Sequence, residues 1–120
     1  MFRAVCWCLG LCVICFALTV QAEGVDTLRR AAEQGDAYSQ YILGAMYEDG
    51  HGVAKDQAEA AQWFRKAAEQ GYADAQDKMG WVYLQGRVVA QDEEEAVKWF
   101  RLAAAQGHKA AQAVLRALHK

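Results

Sequence analysis

AAEQG occupies residues 31–35, returns as AAEQG at residues 67–71, and returns once more as AAAQG at residues 103–107. The spacing is 36 residues both times. Sliding residues 31–66 onto 67–102 leaves 18 of the 36 positions identical, among them Gln40/Gln76, Gly44/Gly80, Tyr47/Tyr83, Asp56/Asp92, Trp63/Trp99 and Phe64/Phe100. A further copy starts at Ala103, and VDTLRRAAEQG, from Val25, matches the end of the same unit. A period of this size marks a row of stacked supersecondary units rather than one closed core.

Each unit reads as two helices. Ala37, Gln40, Leu43, Gly44 and Tyr47 recur at steps of three and four, which places them on one face of a helix from about Ala37 to Asp49, closed by Gly50. Asp56-Gln57-Ala58-Glu59 and Asp92-Glu93-Glu94-Glu95 each put an acceptor at an N-cap and Glu at the third helical position, so a second helix starts there. Its buried stripe is Ala60, Trp63, Phe64 and Ala67, and Gly71 stops it. Alanine then serves close helix approach and glycine serves the turn. One such hairpin leaves its Trp and Phe uncovered on one side, so stacking is required.

The expected fold is all-α: a short solenoid of antiparallel helix pairs with a 36-residue period. A partial unit is expected at 25–36, full units at about 37–72 and 73–108, and a capping helix at 109–120. In that cap Arg116 stands where Gly44 and Gly80 stood, and His119 where tyrosine stood.

Residues 1–22 read differently. Arg3 precedes an apolar run from Ala4 to Val20, and Val20-Gln21-Ala22 provides a cleavage site after Ala22, the pattern of a secretory signal peptide; an uncleaved anchor is the competing reading. All four cysteines lie in this run. The remaining domain, 23–120, then has no disulfide and no thiol nucleophile, and is held by packing alone.

The order Ala-x-x-x-Leu-Gly-x-x-Tyr-x-x-Gly, a loop with Gly-Val, then Asp-x-x-x-Ala-x-x-Trp-Phe-x-x-Ala-Ala-x-Gln-Gly resembles the Sel1-like repeat, a relative of the tetratricopeptide repeat. Ala37, Gly44, Tyr47, Gly50, Gly52, Val53, Asp56, Trp63, Phe64 and Gly71 carry it in the first unit. The second follows with Ala73, Gly80, Tyr83, Gly86, Val89, Asp92, Trp99, Phe100 and Gly107, but has Val88 in place of Gly52.

Chemistry is sparse in 23–120. Ser39 and Thr27 are the only serine and threonine, neither in a nucleophile-elbow or glycine-rich context, and asparagine is absent. His51 beside Glu48 and Asp49 is a loose group without a second cluster, and His108 and His119 read as surface or capping residues. Glu93, Glu94 and Glu95 complement a helix start. No catalytic residue, metal site or cofactor is expected. The net charge of −2 gives no cause to expect nucleic acid or a membrane surface as partner.

Function is sought where the units differ, because shared positions serve the stack. Tyr38/Asp74, Tyr41/Asp77, Ile42/Lys78, Ala45/Trp81 and Glu48/Leu84 differ along the first helix. By the resemblance, first helices line the concave surface, so Tyr38, Tyr41, Ile42, Asp77, Lys78 and Trp81 are the expected partner-binding residues. Trp81 could instead fill a gap beneath the cap.

The resemblance implies a non-catalytic interaction module, an adaptor in the bacterial cell envelope or an immunity protein neutralising a delivered toxin. A hydrolase or ligand-binding protein acting on cell-wall material is the competing class; the relatives that suggest it carry cysteine-paired repeats, which residues 23–120 lack. The expected partner is an envelope protein or toxin and the expected state a monomer. Export follows from the signal reading, to the periplasm if the source is Gram-negative.

Overall fold

The computed structural model describes residues 24–119, and these form six helices with no strand among them. The signal-peptide reading lies outside the described residues. Helix α1 spans 24–33, α2 Ala37–Asp49, α3 Gln57–Glu69, α4 Ala73–Gln85, α5 Glu93–Ala105 and α6 Lys109–Leu118. Each helix packs on the next: α2 on α3, α3 on α4, α4 on α5, α5 on α6. This is the α-solenoid of stacked helix pairs that the repeat demands.

Local chemistry sets the helix ends. Asp56 and Asp92 accept the N–H groups of Glu59 and Glu95 at 3.1 and 3.0 Å, capping α3 and α5. Gly35, Gly71 and Gly107, the last residue of each AAxQG, sit at φ of 101°, 93° and 89°, a left-handed conformation that only glycine adopts freely. The chain therefore turns at the same phase three times.

The residue after each of these glycines differs. Asp36 caps α2 by accepting from the Ser39 N–H at 2.9 Å, and the Ser39 hydroxyl also bonds to it. His108 caps α6 through Nδ1, which accepts from the Ala111 N–H at 3.2 Å. Tyr72 provides no side-chain cap to α4. Its ring is used elsewhere.

Packing repeats with the sequence. Trp63 is buried with Ala32 and Leu43, flanked by Leu28 and Tyr47. Trp99, 36 residues on, joins the cluster of Phe64, Ala68 and Met79, flanked by Tyr83. Those are the corresponding positions one unit later, so the two indoles occupy equivalent niches of successive layers. Phe64 and Phe100 lie flat against Gly44 and Gly80, where an added Cβ would meet the rings at 2.8 and 2.6 Å. Both rings are essentially inaccessible. Burying each contributes about 1.5–3 kcal/mol.

Polar groups inside the stack are also repeated. The Gln40, Gln76 and Gln112 side chains donate to the carbonyls of Ala32, Ala68 and Ala104 at 2.9, 3.2 and 3.1 Å. Gln70 and Gln106 in turn donate to the Oε1 atoms of Gln40 and Gln76 at 2.7 and 2.8 Å. Each central glutamine thus joins the AAEQG before it to the AAxQG after it. Arg29 and Arg65 add a second tie by donating to the hydroxyls of Tyr47 and Tyr83.

The loops after α2 and α4 diverge. Gly52 has φ of 72°, whereas Val88 is not in the left-handed region, since no residue other than glycine is. A valine would be strained in the first conformation, and the second loop takes another course.

Candidate protein-binding face

The six expected residues lie along α2 and α4 at different depths. Tyr38 is the most open at 59 % exposure, and its ring meets Tyr72 edge-on at 6.2 Å. Tyr41 is half-buried between Tyr72 at 5.2 Å and Phe64 at 5.7 Å. Burial, with Asp74 nearby, holds its phenol above the ordinary tyrosine range. Ile42 is half-buried on α2. A short aromatic strip therefore crosses from the start of α2 to the start of α4, and Tyr72 is its centre.

Lys78 extends over the Phe64 ring, with Nζ 5.6 Å from the centroid, and pairs with Glu48 of α2 at 2.7 Å. That link joins residues 30 apart in sequence. Trp81 stands edge-on to Phe100 at 5.6 Å and 83°, and remains 38 % exposed. It is both supported from beneath and open above. Such a ring offers a large rigid apolar area at little entropic cost, the composition of an interface anchor.

Lys78 and Trp81 line one groove of about 140 Å³ together with Glu48, Gln57, Arg87 and Val88. Its floor is Ala60, Ala61 and Phe64 of α3. The loop after α4 contributes Arg87 and Val88.

Asp77 faces the other way, towards α6. Its side chain is only 15 % exposed, its Oδ1 has no hydrogen-bond partner, and His108 Nδ1 lies 3.8 Å from that oxygen. Burial raises its carboxyl above the ordinary aspartate range, partly offset by His108 and Lys78. His108 Nε2 meets Asp74 at 2.9 Å. Asp74 thus ties α4 to the start of α6, while Asp77 lies beside His108 without a hydrogen bond from it.

Four contributors carry no signal in the variable set read from α2 and α4: Tyr72, Gln57, Arg87 and Val88. Tyr72 stands just before α4, at the position from which Asp36 caps α2; the others lie in a loop or a neighbouring helix.

Among the described residues no group of three or more His, Cys, Asp or Glu side chains is placed to hold a metal ion. His51 instead borders a hollow with Val25, Leu28 and Met46. No helix among the described residues is long and apolar enough to cross a membrane.

Comparison with known proteins agrees with this architecture. The Sel1 repeat profile matches residues 28–36, 37–72 and 73–108. The fold is similar to that of a protective antigen of uropathogenic Escherichia coli displaying an SLR fold, at 46% identity and a TM-score of 0.73 over 77% of this chain and 20% of that one. This chain thus spans a fifth of the antigen's length. A Sel1 repeat protein from Oxalobacter formigenes is 37% identical with a TM-score of 0.72, covering 77% of this chain and 69% of that one. Cysteine rich protein B of Helicobacter pylori is 31% identical with a TM-score of 0.70, covering 75% and 68%. A search of curated protein sequences found no match. Sel1 repeats are generally protein-interaction modules. With three consecutive profile matches on a solenoid whose layers share half their residues, the chain belongs to the Sel1 repeat family.

Proposed function

We propose that this chain is a non-catalytic adaptor of the bacterial cell envelope, exported by its first 22 residues, that docks a partner protein on the face built by α2 and α4. The observation that carries the reading is Trp81. The corresponding positions hold Ala45 and Ala117, so the stack does not require an indole there, yet this one is fixed on Phe100 and left open to solvent. Tyr38, the other large exposed ring of the face, stands at the far end of the aromatic strip. Two rigid rings flanking the Glu48–Lys78 pair match the aromatic anchors and surrounding polar contacts of a protein interface.

The test compares the wild type with a Tyr38→Ala/Trp81→Ala variant as bait in cell-envelope extracts. Neither side chain is part of the buried core, so thermal unfolding should remain cooperative. Partners held by the wild type are expected to be lost by the variant, with affinity falling at least about tenfold, or 1.4 kcal/mol. Equal recovery by both baits would remove this face from consideration. Cleavage after Ala22 is checked separately by N-terminal sequencing of the chain recovered from the envelope fraction.

A further inference from the structure

The charges of the α2–α4 face are mostly matched within the molecule. Glu48 and Lys78 neutralise each other, and Asp74 meets His108. Arg87 is different. It lies exposed at the start of the loop after α4, lines the groove beside Trp81, and makes no ion pair or hydrogen bond among the described residues. The side-chain amides of Gln57 and Gln85, on the same rim, are likewise without partners among the described residues. Below them the floor of Ala60, Ala61 and Phe64 is apolar and buried.

We propose that this groove receives an acidic segment of a partner protein, with a carboxylate on Arg87 and an adjacent small aliphatic side chain on the alanine floor against Trp81. The inference rests on the reading of this face as a docking surface, and adds the chemistry of what docks. With Glu48, Lys78 and Arg87 the groove carries one net positive charge, which attracts a carboxylate and repels lysine or arginine. The rim amides suit the main-chain N–H and C=O groups of a peptide. A volume of about 140 Å³ admits a side chain and its flanking backbone. It does not admit a helix, which is about 10–12 Å across. A polyanion such as nucleic acid is disfavoured, because Glu48 lines the groove and Asp74 stands exposed at the start of α4.

The test probes an array of capped ten-residue peptides, each Glu/Asp-plus-aliphatic sequence paired with its Gln/Asn counterpart and a Lys counterpart, using the full chain. The wild type is expected to retain the acidic members about tenfold better than their amide counterparts, the worth of one charge-assisted contact. Arg87→Gln should abolish the preference and Arg87→Glu should reverse it towards lysine. Because the Arg87 side chain is exposed and makes no ion pair or hydrogen bond among the described residues, both variants should fold as the wild type does, which circular dichroism verifies. Trp81→Ala should weaken retention of all aliphatic members alike. Equal retention of acidic, amide and basic peptides by the wild type, or an acidic preference that survives Arg87→Glu, would overturn the proposal. If partner capture still depends on Tyr38 and Trp81 while the array shows no charge preference, the docking face stands and only the acidic occupant falls.

Discussion

The two complete repeats, α2–α3 and α4–α5, place the same indole in the same niche and satisfy it differently. Trp63 donates its N–H to Glu59 at 3.0 Å, one helical turn earlier. Trp99 has the matching glutamate, Glu95, but that side chain turns to Lys98 at 3.4 Å, and the Trp99 N–H is buried without an acceptor. The first repeat has Gln62 where the second has Lys98, and a neutral amide does not draw the glutamate away. Repetition of the scaffold thus does not ensure repetition of its hydrogen bonds. In the second repeat the glutamate contacts a neighbouring lysine instead.

The comparison can be broken most severely at the phenylalanines. Phe64→Ala and Phe100→Ala should each cost about 3–5 kcal/mol in urea unfolding. Phe100→Ala should also weaken partner capture, since it removes the support under Trp81. A loss much smaller at one site than the other would show that the layers are not energetically equivalent.

A smaller effect is expected from the glutamine ties. Gln76→Leu removes the bond to the Ala68 carbonyl and leaves Gln106 without its Oε1 acceptor, at a cost of about 1–2 kcal/mol. The same substitution at Gln40 should cost the same; a difference would locate the weaker junction.

Asp77 replaces Tyr41 in the second repeat, and its charge is held in a partly dry site between α4 and α6. Its folded-state pKa lies above the ordinary 3.8, so ionisation opposes folding at neutral pH, and that penalty disappears as the pH falls through the folded value. Asp77→Asn is therefore expected to be more stable than the wild type at pH 7. The margin should narrow as the pH falls towards 3.8, read as the difference in unfolding midpoint across the titration.

The smallest expected effect restores the symmetry. Lys98→Gln should free Glu95 to accept from Trp99 and raise stability by about 0.5–1.5 kcal/mol, since the exposed Lys98–Glu95 pair contributes little. No gain would mean that Glu95 is held away by something other than the lysine.

Much of the fold was legible because its signals are local and repeated. Asp56, Asp92 and the AAxQG glycines fix helix ends within a few residues of themselves, and the copy-to-copy identity announces the stack. The interior amide ties were not legible: Gln40 reads as one more residue on a periodic face, and its partners lie 8 and 30 positions away. The face was legible in part. Difference between repeats picks out Tyr38 and Trp81, which are open, and also Tyr41 and Asp77, which pack against neighbours. A position can differ between layers because its neighbour differs, as Asp77 does with His108 in place of Tyr72. Arg87 and Gln57 carry no such difference signal on α2 or α4, because the groove borrows from a loop and from α3.

The glutamine ties bear on how the molecule comes apart. Gln40 and Gln76 each share a carboxamide with the layer before and the layer after, whereas Gln112 reaches back only, so opening an inner layer strands hydrogen-bonding groups in both neighbours and peeling an outer one strands them on a single side. Amide-proton exchange should then show the centre of the row as the slowest region, with fraying confined to the two extremities and the α2–α4 junction, where the partner is expected to sit, the last to loosen.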